Sequence, residues 1–270
     1  MNLKELATSI FGKQLVSLTG KALDEFTEEV KQVVNNNILE YQVEEYKRNA
    51  QSKTIIHRAG PIKLSEFYQP LFISRVNRWG FVSYQSERIS THSIQTLLKE
   101  SLGQQLITIL GSAGSGKSTL IKYLFKDCID NNFKIPVKIE LRYLNDYDGT
   151  LIDYIKEHVF KINRIAKNDR IIERLMSSGD FIYFLDGYDE ISSTQKTAIT
   201  KNIDELTKLY NKNYYILTSR PYSDAESLPM FHSYEVCELS NDEIKEFISK
   251  QIPESEHEIV SKMIHAGYTD

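Results

Sequence analysis

The stretch LITILGSAGSGKSTLIKYLF, residues 106–125, constrains this chain more than any other. Leu106, Ile107, Thr108, Ile109 and Leu110 make an apolar, partly β-branched run of strand length. Three glycines follow at Gly111, Gly114 and Gly116. Lys117, Ser118 and Thr119 then lead into Leu120, Ile121, Leu124 and Phe125, which repeat at helical spacing. Strand, glycine-rich loop and helix, with G-x-x-x-x-G-K-S at the junction, is the phosphate-cradling P-loop in its proper context. Backbone N–H groups must approach a polyphosphate closely, so side chains are absent where the chain wraps it, and glycine reaches φ > 0 without strain. The start of the next helix adds unpaired N–H groups and the positive end of its dipole. In this pattern Lys117 brings a full charge to the β- and γ-phosphates, and the Ser118 hydroxyl is a ligand for Mg²⁺. Gly111, Ser112, Ala113, Gly114, Ser115, Gly116, Lys117, Ser118 and Thr119 are therefore expected to bind a nucleoside di- or triphosphate.

Bulk properties narrow the setting. A length of 270 residues allows one large domain or two smaller ones. Hydrophobic content of 41% and charged content of 26% are those of a globular protein in water. There is no run of 18 apolar residues and no signal-peptide core near the start, so a cytoplasmic protein without a membrane partner is expected. Cys128 and Cys237 lie far apart, which suits a reducing compartment and suggests neither a metal site nor a disulfide. A net charge of −4 argues against a nucleic-acid-coating protein.

Along the chain, residues 1–50 read as helical. Leu23, Phe26, Val30, Val33, Val34, Ile38 and Tyr41 share one face, with a shorter helix ahead carrying Leu3, Leu6, Ile10 and Leu15. Gly60, Pro61 and Pro70 then punctuate short extended runs (Ile62, Leu64, Phe67; Leu71, Ile73), and Trp79, Gly80, Phe81 and Val82 suggest a hairpin arm. Ser90 or Thr91 is expected to cap a helix with Ile94, Leu97, Leu98 and Leu102 that stops at Gly103. Beyond the P-loop helix, strands are expected over 136–141, 181–185, 214–218 and 234–237, alternating with helices over 151–160 and 171–176. Capping boxes at Ser192/Gln195 and Ser240/Glu243 open two further helices, and one more is expected over 254–268. Alternation of strand and helix predicts an α/β fold with a parallel sheet, its ligand at the carboxyl ends of the strands.

Two later stretches fall at such ends. In FIYFLDGYDEI, residues 181–191, Asp186 terminates an apolar strand where a carboxylate holds Mg²⁺. Asp189 and Glu190 follow in the loop, and either is placed to orient or deprotonate an attacking water. In YYILTSRPYS, residues 214–223, Arg220 stands just past a strand, where a guanidinium distinguishes a triphosphate from a diphosphate.

GSAGSGKST at 111–119, LDGYDE at 185–190 and ILTSRP at 216–221 together resemble the NACHT family of signal-transduction NTPases. PVKIELR at 136–142 is similar to a strand of that family with a terminal Leu-Arg. LSNDEIKEFI at 239–248 is similar to the start of its helical lid, and the region 41–74 to the connector of bacterial members with an N-terminal helical domain. The resemblance implies a P-loop NTPase fold of ASCE/STAND type, a parallel β-sheet flanked by helices and preceded by a small helical N-terminal domain. It divides the chain into an N-terminal helical domain (1–52), a connector (53–89), a nucleotide-binding domain (90–239) and the start of a lid (240–270). It also implies ATP or ADP with Mg²⁺, Asp186 as metal ligand, Asp189 and Glu190 positioning the hydrolytic water, and Arg220 sensing the γ-phosphate. The function implied is a slow ATPase switch that self-associates on activation, serving in bacterial antiviral defence with a protein trigger or effector. The chain stops at Asp270, early in the lid, so a piece of a longer protein is expected.

Other readings share the first motif. A small-molecule kinase needs an arginine-rich lid, and the region around 164–174 offers only Arg164, Arg170 and Arg174. A nucleotide-dependent scaffold would bind without hydrolysing. The Asp-Gly-x-Asp-Glu pattern disfavours a motor of AAA+ type.

Overall fold

The computed structural model describes residues 23–52, 60–76 and 87–251. The expected helix around Leu3, Leu6, Ile10 and Leu15, the arm at Trp79, Gly80, Phe81 and Val82, and the helix over 254–268 lie outside the described residues.

Thr27 caps the first helix, α1 (Glu28–Asn49), its Oγ1 accepting from the Val30 N–H at 3.4 Å. Glu28 and Glu29 in the first turn and Lys47 and Arg48 in the last complement the helix dipole. The cap starts the helix later than the periodicity predicted. Leu23 and Phe26 belong to the preceding turn, and Val33 is 53% exposed while Val34, Ile38, Tyr41 and Val43 are buried.

β1 (Gln51–Ser52) and β2 (Ile62–Lys63) pair as a small antiparallel ribbon. Leu64 and Phe67, predicted in an extended run, instead form a helical turn, α2 (Leu64–Phe67), whose three-residue spacing buries both side chains. After β3 (Phe72–Arg75), Ser90 is used in β4 (Ile89–Ser90), paired with β3. The cap of α3 (Ile94–Glu100) is therefore Ser93, whose Oγ accepts from the Thr96 N–H at 3.1 Å. Leu102 lies past the end of α3 at φ 61° and is exposed, not on its apolar face.

The remaining chain alternates as β5 (Leu106–Leu110), α4 (Lys117–Asp130), β6 (Ile135–Glu140), a 3₁₀ segment (Leu141–Asp146) and α5 (Leu151–Tyr154), which widens into a π turn (Ile155–Lys161). It continues with α6 (Asp169–Ser177), β7 (Phe181–Asp186), a 3₁₀ turn (Tyr188–Glu190), α7 (Lys196–Leu209), β8 (Tyr214–Ser219), β9 (His232–Val236) and α8 (Asn241–Gln251). The predicted box at Ser192/Gln195 does not form. The Ser192 N–H that Gln195 would need is already bound by Asn145 Oδ1 at 2.8 Å, and α7 begins after Gln195. The Ser240/Glu243 box does form: the Ser240 N–H donates to Glu243 Oε2 at 2.7 Å, and the Glu243 N–H to Ser240 Oγ at 3.3 Å.

Seven strands form one sheet in the order β4-β3-β9-β5-β8-β7-β6. The five from β9 to β6 are parallel, and β3 and β4 extend them antiparallel. β7 shows why its sequence is apolar throughout. Phe181, Tyr183 and Leu185 enter a core shared with α6 and α7, while Ile182 and Phe184 enter the opposite core with α3 and α4. β6 is an edge strand, the place where Pro136 is tolerated in a ladder. α1 covers that edge, the Tyr41 hydroxyl donating to the Pro136 carbonyl at 3.1 Å. The carboxyl ends of β5, β7 and β8 thus meet at one margin of the sheet, carrying the glycine-rich loop, Asp186 and Ser219. Among the described residues no helix is long and apolar enough to cross a membrane.

Candidate functional site

The loop after β5 is pinned at its first residue, the Gly111 N–H donating to the Ser219 carbonyl of β8 at 3.1 Å. A Cβ on Gly111 would stand 2.4 Å from Ser115 Oγ, so any side chain there would have to displace that hydroxyl. Gly116 has φ 87° at the N-terminus of α4, a conformation that side chains resist. Lys117 bends back along the loop, Nζ donating to the carbonyls of Gly111 and Ser112 at 2.5 and 2.9 Å. Burial lowers its pKa, and the carboxylates of Asp189, Asp186 and Glu190 pull the other way. Ser115 Oγ is buried in the loop with no hydrogen-bond partner, a polar atom that a phosphate oxygen would satisfy.

Asp186 is 7% exposed at the end of β7. Its Oδ1 accepts from Thr218 Oγ1 at 2.6 Å and from Ser118 Oγ at 3.3 Å. Thr218 in turn accepts the Gly187 N–H at 2.9 Å. Strand order makes this contact: β8 lies beside β7, so a β8 side chain reaches the carboxylate at the end of that strand. A hydroxyl and a carboxylate side by side are the hard oxygen donors that Mg²⁺ takes in company with phosphate and water.

The turn after Asp186 is opened by Gly187 at φ 80° and brings Asp189 to β8. Asp189 Oδ1 accepts the Arg220 N–H at 3.1 Å, and its Oδ2 is ion-paired with Arg220 Nε at 2.8 Å. Both Asp189 oxygens are thus engaged by the arginine. Glu190, by contrast, is half exposed at the rim, with Oε2 3.8 Å from Arg142 Nη1. These groups line a cleft of about 350 Å³ with Ala113, Gly114, Gly116, Lys117, Ser118 and Thr119, so every predicted acidic and basic site residue meets there.

A second cavity of about 920 Å³ opens on the other side of the loop, sharing Gly114, Gly116 and Thr119 with the first. Its walls are largely apolar: Phe67 and Leu71 from the segment before β3, Val236 at the end of β9 and Leu239 after it, and Phe247 from α8. Phe67 and Leu71 fall in the 41–74 region, and Leu239 and Phe247 in the 239–248 stretch, that carried the family resemblance. α8 is tied to the segment before β3, Gln251 Nε2 donating to the Phe67 carbonyl at 2.8 Å and Lys250 Nζ to Gln69 Oε1 at 2.7 Å.

A family model described as the NACHT domain matches residues 105–255. The chain belongs to the NACHT family. No curated protein matches the sequence. Among solved structures this NACHT chain is similar to domain III of the replication initiation protein DnaA of Thermotoga maritima, with 16% identity and a TM-score of 0.39 over 57% of this chain and 67% of that one. It is also similar to the Walker-type ATPase of Pyrococcus abyssi (18% identity, TM-score 0.39, covering 61% of this chain and 60% of that one). C. elegans PCH-2 aligns at 16% identity and a TM-score of 0.33 over 56% of this chain and 40% of that one. The NACHT chain therefore spans less than two thirds of the last two proteins. The NACHT match and the parallel sheet agree on a P-loop NTPase fold, and nucleotide binding with Mg²⁺ is the property of that family.

Proposed function

We propose that this NACHT chain is a nucleotide switch, binding ATP or ADP with Mg²⁺ and hydrolysing ATP slowly. The observation that carries the reading is the convergence of Ser118, Asp186, Asp189 and Arg220 on one cleft with the P-loop. In this reading the loop N–H groups and Lys117 hold the phosphates, and Ser118 and Asp186 hold the metal. Mg²⁺ would neutralise charge on the β- and γ-oxygens. Arg220, braced by Asp189, reads the γ-phosphate, and Glu190 orients the attacking water. The larger cavity takes the nucleoside between the segment before β3 and α8, linking the occupied site to the lid and connector.

The finer parts of the proposal rest on the resemblance alone. They are the division into helical domain, connector, nucleotide domain and lid, self-association controlled by nucleotide, and a cytoplasmic role in bacterial antiviral defence. Against the kinase alternative, Arg170 and Arg174 pair with Glu25, and no arginine from that region lines the cleft. The test is calorimetric binding of ATP and ADP with and without Mg²⁺, followed by single-turnover hydrolysis. Mg²⁺-dependent binding with slow phosphate release supports the switch. Robust transfer of phosphate to a small-molecule acceptor would overturn it.

A further inference from the structure

The 3₁₀ segment after β6 is docked onto the loop that carries Glu190. Asn145 does this with both ends of its amide: Nδ2 donates to the Glu190 carbonyl at 3.1 Å, and Oδ1 accepts the Ser192 N–H at 2.8 Å. One turn earlier, Arg142 stands between two carboxylates. It is ion-paired with Glu140 on β6, and its other terminal nitrogen lies 3.8 Å from Glu190 Oε2. Glu140 also pairs with Lys138 Nζ at 3.0 Å through its other oxygen, so it draws Arg142 toward β6 while shared between two cations. Glu190 lines the phosphate cleft while its Oε2 lies 3.8 Å from Arg142 Nη1 at the rim.

We infer that Arg142 is a positioning residue that restrains Glu190, holding its carboxylate at the rim and slowing hydrolysis. The inference rests on the proposed role of Glu190. In the step concerned, water attacks the γ-phosphorus while the bond to the β,γ-bridging oxygen breaks. ADP leaves with that electron pair, and the proton of the water passes to the Glu190 carboxylate before release to solvent. An oxygen paired with a guanidinium is turned away from that water. Glu140 competes with Glu190 for the same guanidinium, so the two carboxylates have opposite effects. Removing Arg142 frees Glu190, and removing the charge of Glu140 gives Arg142 wholly to Glu190.

The test is single-turnover hydrolysis of ATP with Mg²⁺, with ATP affinity measured in parallel. Arg142→Gln should raise the rate about two- to fivefold, the range set by one exposed ion pair, at unchanged affinity. Glu140→Gln should lower it by a similar factor, a sign reversal that a merely structural role would not produce. In a Glu190→Gln background neither change should matter. A rate for Arg142→Gln equal to or below that of the wild type, with Glu190→Gln inactive, overturns the inference and leaves the proposed function standing. If Arg142→Gln fails to fold, Arg142→Lys replaces it: its point charge should pair less well and raise the rate, and an unchanged or lower rate overturns the inference. Wild-type hydrolysis by Glu190→Gln overturns the role of Glu190 and the inference with it.

Discussion

Arg220 grips Asp189 twice, its backbone N–H on one carboxylate oxygen at 3.1 Å and its Nε on the other at 2.8 Å. The ion pair is made through Nε, and Arg220 lines the phosphate cleft beside Asp189. Arg220 is 61% exposed and Asp189 only 18%, so the carboxylate is the fixed partner and the arginine the one being aimed.

Asp189→Asn should therefore leave ADP binding nearly unchanged and weaken ATP binding. The expected loss is about 1–2 kcal/mol, on the scale of a hydrogen bond to a charged group. The ratio of the two dissociation constants, measured by calorimetry, checks this. An unchanged ratio would detach Arg220 from γ-phosphate sensing.

Lys117 predicts a pH dependence. Burial lowers its pKa from the ordinary 10.5. Bound polyphosphate favours the charged form, so binding takes up protons on the alkaline side. ATP affinity should fall as pH rises through the lowered value, earlier than an ordinary lysine would allow. Titrations from neutrality to about pH 10 in buffers of different ionisation enthalpy would read both the affinity and the proton uptake. Lys117→Ala should abolish binding with an unchanged circular dichroism spectrum.

Thr218 is fully buried and serves two partners, donating to Asp186 and accepting from the Gly187 N–H. Thr218→Val keeps the shape and removes both bonds. The orphaned N–H and carboxylate should cost about 1–3 kcal/mol, a thermal shift of several degrees, and Mg²⁺-dependent ATP binding should weaken in parallel. A melting temperature equal to that of the wild type would show that these bonds are not needed.

Phe247 tests the larger cavity. It is 39% exposed on α8 and lines the wall opposite the P-loop. Phe247→Ala should weaken ATP by about 1 kcal/mol through lost apolar contact, and should leave the affinity for inorganic triphosphate unchanged. Equal loss for both ligands would place the nucleoside elsewhere.

Features whose chemistry closes within a few residues were legible from the start. The P-loop is one, since its glycines, Lys117 and Ser118 act through the backbone that carries them. The apolar run ending at Asp186 and the reciprocal Ser240/Glu243 cap are others. Local patterns misled where a distant partner had a prior claim. Ser192 matched a capping box, but its N–H belongs to Asn145, 47 residues earlier. Ser90 matched a cap, but β3 draws it into the sheet and leaves the task to Ser93.

Strand order decided the rest. Nothing in residues 106–125 or 181–191 states that β8 lies between β5 and β7, yet that insertion lets Thr218 touch Asp186 and Arg220 reach Asp189. The apolar cavity and the Arg142–Glu190 pair arise in the same way, from segments far apart in the chain that only folding brings together. Residue types alone specified which chemistry the loop performs, because the requirements of a phosphate cradle are met by neighbours in the chain. Which side chains meet at the cleft depended on packing between strands and loops far apart in sequence, where no periodicity or spacing records the contact.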